Sequence, residues 1–171
     1  MSYPDRYRLF SHMIQSRFLH IEDALSQDKP KLRFFIGSFE RGQGANATAY
    51  AFLDLDEARV ILNDMSWSKP VDVTLYSGGK DSNGQVISRV LKIKTNTEEG
   101  KVWVELHNGK GEESFGGIVK PLGKPWAEVS IPLTIHESRK MAFACLAYIH
   151  AWEVARMVAA QIPIRTGALR N

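Results

Sequence analysis

The sequence predicts an α+β fold, an antiparallel, curved β-sheet with a long C-terminal helix and an N-terminal helix, and three observations carry that expectation. Several stretches alternate apolar and polar residues with period two, most clearly VLKIK at 90–94 and KVWVEL at 101–106. The segments between them have hairpin length, and strands joined so closely pair antiparallel. Other stretches, the last of them long, space their apolar residues three and four apart, the period of a helix.

Taken in order, residues 5–25 read as the N-terminal helix, because Leu9, Phe10, Met13, Ile14, Phe18, Ile21 and Leu25 recur at helical spacings. SQDKPK at 26–31 ends it. Residues 31–39 alternate, with Leu32, Phe34 and Ile36 on one face and Arg33 and Phe35 on the other. RGQGAN at 41–46 is a turn and 47–53 the returning strand. Asp54 or Asp56 starts a short helix, since a carboxylate oxygen can accept from the free amides there, and Ala58, Ile61, Leu62 and Met65 form its apolar stripe. SWSKP at 66–70 stops it.

A strand over 71–76, a glycine-rich turn SGGKDSNG at 77–84 and a hairpin of 86–94 with 101–107 follow. Ile118, Val119 and Leu122 suggest a short edge strand, and 126–133 alternates again. Thr134 and Glu137 have the spacing of a capping box. The helix they open runs for about 27 residues, roughly 40 Å at 1.5 Å per residue. Met141, Cys145, Tyr148 and Trp152 make one stripe along it, yet Phe143, Leu146, Ile149, Val154 and Met157 lie elsewhere around it. A helix apolar on every side must be covered on every side, so part of it is expected to pack on another subunit. The expected organisation is a helical extension over 1–30, one α+β domain over 31–160 and a flexible tail over 161–171, with Pro163 and Gly167.

The bulk values narrow the function. A chain of 171 residues buries one substantial core, and 44% hydrophobic with 24% charged residues is a globular composition. A net charge of +3 leans toward an anionic partner. Cys145 is the one cysteine, so an internal disulfide is impossible, and its setting in MAFACLAYI reads as a small buried hydrophobe. The first residues lack the apolar core of a signal peptide, and no charge-free run reaches the roughly 18 residues of a membrane span, so a cytoplasmic protein with no membrane partner is expected.

In the 86–107 hairpin an even-numbered turn puts Lys92, Lys94, Lys101 and Trp103 on one face. With Lys94 and Lys101 flanking the turn, the two lysines oppose each other and Lys92 faces Trp103. Opposed like charges cost up to about 1 kcal/mol, which a bridging phosphate would relieve. Further cations and rings lie on other strands and turns: Arg33, Phe35, Tyr50, Tyr76, Lys80 and Lys110. Rings interleaved with cations suit single-stranded nucleic acid, whose bases stack for roughly 1 to 3 kcal/mol each while lysines follow the phosphates. Duplex readers more often offer a basic helix to a groove. The plainer reading is that such lysines keep a sheet soluble and block edge pairing, and that alternating aromatics are core.

No catalytic set emerges, and no cofactor is expected. SGGKDSNG and HNGKGEESFGG lack the GxxxxGK[ST] spacing and open no helix that could hold a phosphate. His12, His20, His107, His136 and His150 form no HExxH pair, no serine sits in GxSxG, and Asp54 with Asp56 reads as a helix start, so neither a metal nor an enzyme is expected.

FFIGSFERGQGANATAYAFL at 34–53 as a first hairpin, VISRVLKIKTNTEEGKVWVEL at 86–106 as a later one, and WAEVSIPLTIHESRKMAFACLAYIHAW at 126–152 as a strand leading into the terminal helix give a layout that resembles the Whirly family and its relative, the eukaryotic positive-cofactor-four transcription coactivator. The resemblance covers roughly residues 31–160. It implies single-stranded DNA bound on a sheet surface, and assembly of a homo-oligomer through helices. The KGKAAL signature of plant Whirly proteins is absent, NGKGEE at 108–113 being only superficially similar, so bacterial and phage relatives of the fold are the nearer comparison. The expectation is therefore a non-enzymatic protein binding single-stranded DNA or RNA with little sequence preference, nucleoid-associated, in replication, recombination or transcription. The competing expectation is an adaptor subunit that pairs through its terminal helix and binds no nucleic acid.

Overall fold

The computed structural model describes residues 6–40, 42, 44–115 and 118–161. Its elements are β1 (Arg8–Ile14), β2 (Arg17–Ala24), β3 (Lys31–Glu40), β4 (Gly44–Asp54), α1 (Leu55–Ser66), β5 (Asp72–Lys80), β6 (Val86–Asn96), β7 (Lys101–Glu113), β8 (Val119–Pro121), β9 (Ala127–Thr134) and α2 (Ile135–Gln161). They build an α+β fold of two antiparallel, curled sheets and two helices. The first sheet is the meander β1-β2-β3-β4. In the second, β5, β6 and β7 pair in order, and the far edge of β7 carries β9 opposite Lys101 to Asn108 and β8 opposite Gly111 to Glu113.

Period-two alternation determines what each strand buries. Leu32, Phe34 and Ile36 of β3 point inward with Leu19 and Ile21 of β2 and Ala49, Ala51 and Leu53 of β4. The second sheet adds Leu91, Ile93, Val102, Val104, Leu106, Val129, Ile131 and Leu133. Ala58, Ile61, Leu62 and Met65 of α1 and Met141, Ala142, Cys145 and Ile149 of α2 close this core. Burial pushes the Cys145 thiol up to about 12, so it is the inert hydrophobe its surroundings suggest.

Side-chain hydrogen bonds to backbone tie the sheets together at two points. Asn108 on β7 meets the outer edge of β4, where its amide donates to the Tyr50 carbonyl and its oxygen accepts from the Tyr50 N–H, each at 2.8 Å. Arg17 of β2 donates to the Ser130 carbonyl of β9 at 2.8 Å, and among the described residues β9 pairs with β7 alone. Both satisfy backbone groups that an edge strand leaves open.

The helix expected over 5–25 is instead the β1–β2 hairpin, turning at Gln15 and Ser16. Its apolar residues fit both periods, since Leu19 with Ile21 and Phe10 with Ile14 also fall on one face of extended chain. The choice is made by β3, which β2 pairs from Lys31 to Ser38; without it the central apolar strand would keep an open edge. Residues 8–24 therefore form a hairpin of the sheet and are no helical extension.

The glycine pair in SGGK is not a turn but the end of β5. A Cβ on Gly78, or on Gly111 across the sheet, would run into Val119 of β8, so these positions let β8 lie close. HNGKGEE likewise continues β7 rather than forming a loop. Asp54 stands at the start of α1, but its side chain makes no cap hydrogen bond and pairs with Lys31 at 2.8 Å.

The capping box of α2 is present: Thr134 Oγ1 accepts from the Glu137 N–H at 3.1 Å and Glu137 Oε2 from the Thr134 N–H at 2.9 Å. One side of α2 is buried, while Phe143, Val154, Met157 and Val158 are 54, 44, 62 and 53% exposed. Beyond Gln161 the expected tail lies outside the described residues. No helix among the described residues is long and apolar enough to cross a membrane.

Candidate nucleic-acid interface

The outer face of the second sheet is fixed by register. Lys92 pairs with Thr74 on one side and Glu105 on the other, and Lys94 with Asp72 and Trp103. Across β7, Lys101, Trp103, Glu105 and His107 pair with Thr134, Pro132, Ser130 and Glu128 of β9. Paired residues share a face, so Lys92, Lys94, Lys101 and Trp103 project together, as do Tyr76 and Lys80 on β5. Lys92, Lys94 and Trp103 line an open trough of about 710 Å³ together with Asp72, Thr74, Asn96 and Glu105, while Tyr76, Lys80 and Lys101 lie on the same face outside its lining. Trp103 is half-buried and Tyr76 exposed.

The expected opposition of Lys94 and Lys101 is not what forms. Asn96 pairs with Lys101, leaving a four-residue loop, and Lys94 moves opposite Trp103. The cause is local: Asn96 Oδ1 accepts from the N–H groups of Glu98 and Glu99 at 3.1 Å each, and Gly100 takes a φ of 63° that favours glycine. The hairpin thus extends two residues further than alternation alone suggests. Lys92, expected across from Trp103, faces Glu105, with Nζ 2.8 Å from Glu105 Oε1.

Every lysine on this face has a carboxylate within reach: Lys94 stands 3.4 Å from Asp72, Lys80 3.5 Å from Glu113 and Lys101 3.9 Å from Glu99. Lys94 and Asp72 are about two-thirds exposed (67 and 70%), and such pairs contribute less than about 1 kcal/mol, so an incoming phosphate can draw the ammonium away. Glu105 is held more firmly. Burial alone would raise its pKa, but the hydrogen bond and charge of Lys92, with His107 beside it, outweigh burial and leave it below the ordinary carboxylate value.

The remaining expected residues are not brought to this trough. Lys110 pairs with Ile87 and shares the parity of Leu106 and Asn108, so it leaves β7 on the opposite side from Trp103. Arg33, Phe35 and Tyr50 lie on the outer face of the first sheet and are engaged there. Arg33 forms a buried ion pair with Glu22, and its guanidinium sits 4.7 Å from the centroids of both Phe35 and Tyr50. Arg89 lies 4.8 Å from the Tyr50 ring and donates to its hydroxyl at 3.0 Å. Phe35 also meets Phe18 edge-on at 5.4 Å. His20, in the same cluster, is shifted below its ordinary value by burial first and then by Arg8 and Arg33, against the pull of Glu22. These aromatics and cations cement one another.

Sequence spacing missed three neighbours of the trough. Glu105, His107 and Glu128 converge across the β7–β9 pair, with His107 Nε2 2.6 Å from Glu105 Oε1 and 3.7 Å from Glu128 Oε1. Alternation with Lys101 and Trp103 marks the first two, but Glu128 joins them only through strand pairing. Comparison with protein-family models and with curated proteins gives no match for this chain.

Proposed function

We propose that this protein is a non-enzymatic single-stranded DNA binding protein that lays the strand along the outer face of its second sheet and assembles through α2. The observation that carries the reading is the shared face of Lys80, Lys92, Lys94 and Lys101 with Trp103 and Tyr76, on which Lys92, Lys94 and Trp103 line an open trough. Amines at strand spacing can follow phosphates while the two rings accept bases, and neither interaction reads sequence. Antiparallel strands leading into a long apolar helix, the layout behind the Whirly resemblance, support the same reading. So does the apolar side of α2, whose exposed Phe143, Val154, Met157 and Val158 suit a second subunit.

The test is titration of the full chain with oligo-dT and with duplex of equal length, followed by tryptophan fluorescence. Tighter binding to the single strand, strongly weakened by Lys92→Glu with Lys94→Glu while circular dichroism stays native, is expected. Equal affinity for both forms at low salt sinks the proposal. The second reading, an adaptor subunit, draws on the same exposed α2 residues and on the carboxylates beside each lysine. It expects sedimentation to show assembly that an oligonucleotide does not alter.

A further inference from the structure

We propose that Glu105, His107 and Glu128 form a site for a borderline divalent cation of the zinc class, and that this cation and the Lys92 ammonium exclude each other from it. His107 and Glu128 are directly opposed across β7 and β9, and Glu105 lies two residues along β7 on the same face. One ligand atom from each lies within 4.8 Å of the other two. A tetrahedral ion with bonds of 2.0 to 2.2 Å holds its donors about 3.3 Å apart. The distances from His107 Nε2 to the two carboxylates, 2.6 and 3.7 Å, bracket that separation.

A separate observation points to a missing partner. His107 Nε2 is shut off from solvent and makes no well-directed hydrogen bond, its nearest polar neighbour being the Glu105 carboxylate at 2.6 Å. Buried polar atoms are nearly always satisfied. Here a solvent-excluded nitrogen without a well-directed hydrogen bond stands between two carboxylates from neighbouring strands, and a cation would bond to all three. An imidazole in the set favours zinc over magnesium or calcium, which prefer oxygen alone, and three protein ligands leave a position for water.

Lys92 occupies part of the same space, with Nζ 2.8 Å from Glu105 Oε1, the oxygen that also faces His107. Its single charge serves only the Glu105 carboxylate and leaves Glu128 with His107 alone. The ion must displace it, so removing the amine should tighten the ion. The proposal does not depend on nucleic-acid binding, because the ligands, the competitor and the readout lie within the free protein.

Calorimetric titration of the full chain with Zn²⁺ in a non-chelating buffer near pH 7.5 tests it. One ion per chain is expected, with affinity lowered at least tenfold by His107→Ala and by Glu128→Gln, raised severalfold by Lys92→Met, and unchanged by His136→Ala on the exposed start of α2. Wild-type affinity in the His107 and Glu128 variants, the absence of stoichiometric binding, or a Lys92→Met variant that binds no more tightly would each overturn it. Glu128 is exposed, so Glu128→Gln keeps the test decisive even where His107→Ala fails to fold.

Discussion

Replacing Lys92 and Lys94 by Met removes two of the four amines on the trough face and leaves the strands in place. The structural cost is modest: Lys94 and Asp72 are mostly exposed and contribute less than about 1 kcal/mol, and Glu105, which loses the firmer Lys92 partner, keeps His107 beside it. The effect on binding follows from counterion release. For a single strand the logarithm of the affinity falls with the logarithm of salt at about −0.7 per neutralised phosphate, so four lysines give a slope of about −2.8 and two give about −1.4. Raising salt from about 50 to about 200 mM should therefore weaken the native protein about 50-fold and the double variant only about 7-fold. The assay is tryptophan quenching by oligo-dT at five or six NaCl concentrations, expressed per protomer. A variant that still binds with the native slope would show that these amines never meet phosphate.

Other expectations test the frame around the trough. Asn108→Ala strips both backbone partners from Tyr50 on the edge of β4 and should lower stability by about 2 to 4 kcal/mol in urea unfolding. An unchanged midpoint would mean that water replaces the amide freely. Glu105 has a folded pKa below its unfolded value, so its contribution is complete above the unfolded value and disappears as pH falls through the folded one. Between pH 6 and pH 3 the native protein should consequently lose more stability than Glu105→Gln, and equal losses would refute the assignment. Met157→Glu with Val158→Glu should shift sedimentation toward the single subunit with little change in the thermal midpoint, since both side chains are already exposed within the protomer. Assembly that persists would place the subunit contact elsewhere.

What could be read from the chain was what depends on near neighbours. The alternation of VLKIK and KVWVEL fixes which residues of each strand share a face, and the even-numbered loop between the two strands puts Lys92, Lys94, Lys101 and Trp103 on one face. The capping box of α2 needs residues only three apart and is present as spaced. Everything that requires a distant partner was decided by the assembled sheets. The spacing from Leu9 to Leu25 satisfied helix and hairpin alike until β3 offered an edge to pair with. Asn96, by capping two loop amides, moved the register and put Glu105 rather than Trp103 opposite Lys92. Arg33 and Tyr50 look like free cation and ring in the sequence, but Glu22 and Arg89 reach them from other strands. Glu128 meets His107 by the same route. Alternation is a property of one strand, whereas charge pairing, burial and ligand convergence belong to pairs of strands, and no local pattern encodes which strands will meet.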